Sequence, residues 1–86
     1  ALDVALSQEA VAIKKLVSPV AGDADCLVFP NIESANVFYK TNSQLCKGVK
    51  LAAMVAGAQA PCVLSSRADS IDTKLNSIAL AAITAK

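Results

Sequence analysis

Pro61-Cys62-Val63-Leu64-Ser65-Ser66-Arg67-Ala68-Asp69-Ser70 passes from a short apolar run through a polar loop to a helix cap. Beyond it Ile71, Leu75, Ile78 and Ala82 recur at helical spacing, which predicts a helix over residues 70–84 with Asp69 or Ser70 as cap. Residues 62–64, opened by Pro61, read as a strand, and the apolar run 51–58 closed near Gly57 reads as another. Further upstream, Asn31 caps a helix that runs to about Lys47 and stops at Gly48. The run 26–29, closed by Pro30, is expected to be a buried strand. Ser7 caps a first helix over residues 8–16, with Glu9 in its first turn and Lys14 and Lys15 in its last, in the order that suits the helix dipole. Ser18-Pro19 ends it. The predicted order is α-β-α-β-β-α, the alternation of an α/β protein with helices on a mostly parallel sheet. Three strands are few for such a sheet, so the unit reads as part of a larger one.

Composition agrees. The chain has 86 residues, is 55% hydrophobic and carries only 17% charged residues, against roughly 25% in ordinary globular domains. So short a chain makes one domain with a thin core and is expected to leave apolar surface uncovered. A partner subunit or a further part of the same polypeptide is the simplest remedy. The chain opens at Ala1 instead of methionine, as expected of a processed or excised product.

Several function classes are excluded. The net charge of +1, with acids and bases interspersed, does not supply the basic face that nucleic-acid binding needs. Lysines and Arg67 interrupt every apolar run well short of the roughly 18 residues that span a bilayer, so no membrane role is expected. No basic and apolar leader of a secretory signal stands at the start. The three cysteines form no C-x-x-C pair and histidine is absent, so neither a metal site nor a disulfide framework is expected. Cys26, Cys46 and Cys62 are read as reduced, buried thiols of a cytoplasmic protein. Without histidine, Ser-His and Cys-His nucleophile pairs cannot form.

Candidate chemistry lies on two strand-to-helix loops, where α/β proteins place their ligands. Arg67, the only arginine, offers a bidentate fork to phosphate oxygens, and Ser65, Ser66 and Ser70 offer hydroxyls beside the unpaired N–H groups of a helix start. The plainer alternative is a solvated arginine with serines that cap the helix. Pro30-Asn31-Ile32-Glu33-Ser34-Ala35-Asn36, followed by Tyr39-Lys40, forms the second loop, and its polar residues are positioned to meet the first at one sheet edge. Helix capping by Asn31, with Glu33 and Lys40 solvated, is the favoured explanation of that cluster taken alone. Asp23 and Asp25 read as turn residues.

Val20-Ala21-Gly22-Asp23-Ala24-Asp25-Cys26-Leu27-Val28-Phe29-Pro30-Asn31-Ile32-Glu33, Asn36-Val37-Phe38-Tyr39-Lys40, Gly57-Ala58-Gln59-Ala60-Pro61 and Leu64-Ser65-Ser66-Arg67-Ala68-Asp69-Ser70 stand in this order. Together with Lys74-Leu75-Asn76-Ser77-Ile78-Ala79-Leu80-Ala81, they resemble the final third of the phosphate acetyltransferase and phosphate butyryltransferase family. Ala68-Asp69-Ser70 is more similar to the butyryltransferase branch, since the acetyltransferase branch usually has glycine after the arginine.

The resemblance implies that residues 1–86 are the carboxy-terminal part of a two-domain, three-layer α/β/α enzyme with its site in the interdomain cleft. The implied reaction exchanges an acyl group between coenzyme A, as a substrate, and inorganic phosphate, without a metal or other cofactor. Carried over, Arg67 binds the phosphoryl group and Ser66 stabilises charge near the reacting carbonyl, with Ser65, Ser70, Asn36 and Lys40 as further phosphate or coenzyme A contacts. Homo-oligomers are usual in the family, and the amino-terminal domain is expected to be required, so this chain alone is expected to be inactive. Some positions depart from the family's pattern. Thr73 stands where the acetyltransferase branch has an aspartate, a candidate base for the thiol; Ala35-Asn36 replaces a Gly-Asn pair, and Asn31 a common aspartate. A non-enzymatic protein that binds an anion or coenzyme A, or only self-associates, is the competing reading.

Overall fold

The computed structural model describes residues 1–86. It contains four helices: α1 (Leu2–Leu6), α2 (Gln8–Lys14), α3 (Ile32–Leu45) and α4 (Ile71–Thr84). The chain divides into two compact units, Ala1–Ala35 and Asn36–Lys86.

In the first unit Ser7 both follows α1 and caps α2, its Oγ accepting the Ala10 N–H at 3.2 Å. The expected helix 8–16 ends early because Lys15 turns left-handed, at φ 53°. The Leu16 N–H then returns to the Val11 carbonyl, which closes the helix end. α1 lies outside the sequence expectation; at five residues it is too short to show a helical period. Its last carbonyls need partners, and the segment after Pro19 supplies them: Gly22 N–H donates to Val4 at 2.7 Å and Ala24 N–H to Ala5 at 3.1 Å. Gly22 is at φ 72°, and a Cβ there would meet the Gln8 side chain at 2.7 Å, so the close approach requires glycine. Val4 is the one buried apolar side chain. Asn31 caps α3 as its position predicts, its Oδ1 accepting the Ser34 N–H at 2.9 Å.

The second unit is arranged around α4. Ser70 is its cap, accepting the Thr73 N–H at 3.1 Å. The helix does not bury the expected stripe: Ile71, Leu75 and Ile78 are 83%, 61% and 59% exposed. The face that packs carries Thr73 and Ser77, and Ser77 is only 2% exposed. Small side chains on that face let the segment 51–54 approach. Ser77 Oγ accepts the Ala53 N–H at 2.9 Å and donates to the Thr73 carbonyl at 2.8 Å, while Asn76 Nδ2 reaches the Leu51 carbonyl.

The three expected strands do not form a sheet. Residues 26–29 have no ladder, and 51–58 and 62–64 meet at a single antiparallel bridge, Val55 to Cys62, around Gly57 at φ 87°. A parallel strand is held by neighbours on both sides and covered on both faces. These segments have neither, and Val28 and Leu64 are 90% and 78% exposed. The cysteines are corrected for the same reason: all three are free, as read, but exposed instead of buried.

Ser77→Ala is expected to leave the Ala53 N–H without its partner and to destabilise the chain by about 1–3 kcal/mol. Ile78→Ser, on the exposed stripe, is expected to change stability by no more than about 0.5 kcal/mol. Urea unfolding of the two variants measures the difference, and a larger loss in Ile78→Ser would show that the apolar stripe is the packed face.

Candidate functional site

Tyr39 and Lys40 of α3 and residues 66–69 form one cluster in the second unit. Residues 66–69 form a tight turn in which the Asp69 N–H donates to the Ser66 carbonyl at 3.1 Å. Asp69 closes the turn a second time, its Oδ2 accepting the Ser66 N–H at 2.9 Å. This is a short polar side chain bonding nearby backbone, as such residues do in turns. Arg67 occupies the turn's first central position, exposed, and makes no salt bridge within the chain. Its fork is therefore available to a ligand anion.

α3 meets this turn from the other side. Tyr39 and Lys40 are adjacent on the helix, and Lys40 Nζ donates to Ser66 Oγ at 2.8 Å. The Tyr39 hydroxyl donates to Asp69 Oδ1 at 3.4 Å. Lys40 Nζ also stands 5.9 Å from the Tyr39 ring centre, at the outer limit of cation–π attraction. Ser66 Oγ accepts a further bond from the Ala68 N–H at 3.3 Å. The pairing of Lys40 with Ser66 brings one residue of each cluster together, but without the expected sheet edge, since no sheet forms.

The remaining candidates are more dispersed. Asn36 lies one helical turn before Lys40, and the two line a shallow depression of about 350 Å³ with Val37, Thr41, Gln44 and Leu45. Ser65 is half-buried next to Ser66. Ser70 is occupied by its own helix: besides capping, its hydroxyl donates to Thr73 Oγ1 at 3.0 Å. Ser70 and Thr73 line a separate open cavity of about 350 Å³ with Lys50, Asp72 and Asn76 among its other walls.

Sequence reasoning placed Lys40 and Ser66 among the candidates, put Tyr39 in the second cluster and gave Asp69 a place as helix cap. It did not foresee the Tyr39–Asp69 bond or the Asp69 bond to the Ser66 N–H. The legible signal was the acid three residues after Ser66, within reach of its N–H; the Tyr39 contact spans 30 residues and left no local mark.

Comparison with known proteins bears directly on this geometry. The family model described as phosphate acetyl/butaryl transferase matches residues 1–82. The chain belongs to that family. It is 52% identical over 85 residues to the phosphate butyryltransferase of Clostridium beijerinckii, covering 99% of this chain and 28% of that protein. It is 51% identical over 85 residues to the phosphate acetyltransferase of Thermotoga maritima, covering 99% of this chain and 29% of that protein. The probable phosphate butyryltransferase of Bacillus subtilis is 52% identical over 81 residues, 94% of this chain and 27% of that protein. The chain thus spans less than a third of the length of the relatives it matches. The butyryltransferases and the Thermotoga acetyltransferase differ by a single point of identity, and other phosphate acetyltransferases fall as low as 42%.

Partial burial raises the Tyr39 phenol above its ordinary value of 10.0, and the neighbouring Asp69 carboxylate adds to the shift by its charge and as hydrogen-bond acceptor. Tyr39 is the only tyrosine, so tyrosinate absorbance reports it alone. Its midpoint is expected above 10.0 in the folded chain, with Asp69→Asn bringing it part of the way down. Because the folded pKa is the higher one, the associated stability is complete below 10.0 and is lost as pH rises through the folded midpoint.

Proposed function

We propose that residues 1–86 are the carboxy-terminal part of a phosphate acyltransferase that exchanges an acyl group between coenzyme A and inorganic phosphate. In that reaction the coenzyme A thiolate attacks the carbonyl carbon of an acyl phosphate. The carbon–sulfur bond forms, the carbon–oxygen bond to phosphorus breaks, and phosphate leaves with the electron pair. Arg67 binds the phosphoryl group through its fork. Ser66 directs its hydroxyl at charge that develops near the carbonyl, where a preorganised donor acts most strongly. Ser65, Asn36 and Lys40 complete the contacts to phosphate or coenzyme A, while Ser70 is taken up by its cap and by Thr73. The single observation that carries this reading is the family match over residues 1–82; the Lys40–Ser66 hydrogen bond joins α3 to the Ser66-Arg67 turn within the matched stretch.

The enzyme works in the cytoplasm as a homo-oligomer, with coenzyme A as substrate and no further cofactor. Its α/β/α sheet is completed by strands from the amino-terminal portion of the protein, beside which residues 26–29, 51–58 and 62–64 find their ladder partners. The absence of a formed sheet within this chain supports that arrangement. No helix is long and apolar enough to cross a membrane.

A second reading draws on the exposed apolar side chains, among them Val28 at 90%, Ile71 at 83% and Ile83 at 80%. It makes the chain a self-associating or anion-binding protein without turnover.

The test is phosphate-dependent release of coenzyme A from butyryl-CoA and acetyl-CoA. The 86-residue chain alone is expected to give none. Joined to the amino-terminal portion of the Clostridium beijerinckii relative, it is expected to turn over, and Arg67→Ala to lower kcat/KM by about 100-fold or more. A joined protein that binds phosphate but releases no coenzyme A would favour the second reading.

A further inference from the structure

The hydrogen bonds at Ser66 Oγ determine which way its proton points. A serine hydroxyl has two acceptor lone pairs and one proton to donate. Lys40 Nζ, a donor only, takes one lone pair at 2.8 Å, and the Ala68 N–H takes the other at 3.3 Å. Both acceptor positions are filled, so the hydroxyl has only its proton left to offer. The backbone beneath the side chain is held as well, because Asp69 accepts the Ser66 N–H. No hydrogen bond within the chain receives the Ser66 proton, and Ser66 remains half-buried beside the exposed Arg67.

We infer that Lys40 is a positioning residue that acts through Ser66, fixing its hydroxyl as a donor to an anionic oxygen of the ligand. This deepens the acyltransferase reading and rests on it for the identity of the ligand as a phosphate or acyl phosphate. It revises the place of Lys40, which becomes a support for Ser66 instead of a direct phosphate contact. The ammonium also withdraws charge from the hydroxyl oxygen, which strengthens the bond the proton makes, as charge assistance does elsewhere. Asp69 contributes by its carboxylate geometry: one oxygen holds Ser66 and the other receives the Tyr39 hydroxyl, so α3 and the turn are tied at two points. A lysine that touched phosphate on its own would act whether or not Ser66 were present. A lysine that works through the hydroxyl acts only while the hydroxyl is there.

A double-mutant cycle on inorganic phosphate binding separates these cases. Titration calorimetry is carried out on the whole chain joined as above, in about 0.5 M potassium chloride to screen long-range attraction of the lysine for the anion. Ser66→Ala and Lys40→Met are each expected to weaken phosphate binding about tenfold, the loss of one charge-assisted hydrogen bond. The double variant is expected to be no weaker than Ser66→Ala. Lys40→Arg, which keeps a donor at that position, is expected to stay within about threefold of the unsubstituted protein, and it answers the question if Lys40→Met does not fold. A double variant about 100-fold weaker, the product of the two single effects, would overturn the inference and make Lys40 a direct ligand. So would unchanged binding in Lys40→Met, or a protein that binds no phosphate at all. Coenzyme A release is scored separately: phosphate binding with the expected coupling but no release rejects the acyltransferase reading and leaves the role of Lys40 standing.

Discussion

The hydroxyl of Ser77 determines the arrangement of the second unit. It is buried, it takes the N–H of Ala53, and it returns its own proton to α4 at the Thr73 carbonyl. A backbone segment can approach a helix closely only over small side chains, and Thr73 and Ser77 provide that surface. Once the segment 51–54 is held there, the opposite side of α4 is left to carry Ile71, Leu75 and Ile78 outward. The helix start is fixed by the Ser70 cap, and the turn before it is held beside α3 by the bonds from Tyr39 and Lys40.

What could be read from the sequence was local. Ser7, Asn31 and Ser70 announced three helix starts because a cap depends on a side chain and an N–H only two or three residues away. The period of α4 was legible, but its buried face was not. Periodicity says which residues share a side, and the neighbours that decide which side packs are set by distant parts of the chain. The strands fail for a related reason. Apolar runs such as 26–29 express a preference for pairing and burial, and a strand exists only where another supplies the ladder. Cys26 and Cys62 were read as buried on the same premise, and all three cysteines are exposed.

At the candidate site, residue chemistry, loop position and the resemblance named Ser66, Arg67 and Lys40 as candidates, and the structure brings Lys40 to Ser66. The resemblance in the motifs led to the family that the comparison then established over residues 1–82. The Tyr39–Asp69 hydrogen bond joins residues 30 apart in sequence, so no spacing rule finds the pair. The turn illustrates how inexpensive such a support can be in structural terms. A single carboxylate joins a backbone N–H three residues away to a hydroxyl on another helix, and an adjacent lysine engages the side chain between them.

The free thiols carry a consequence for the chain as a material. Cys26, Cys46 and Cys62 all reach solvent, and none has a disulfide partner within the chain. A molecule with one such group can only be joined in pairs, and one with two can be joined in lines. With three attachment points each copy becomes a branch point, so oxidation without reductant drives the chains toward cross-linked networks of no fixed size. Replacing one thiol limits the product to linear polymers and rings, and replacing two limits it to dimers.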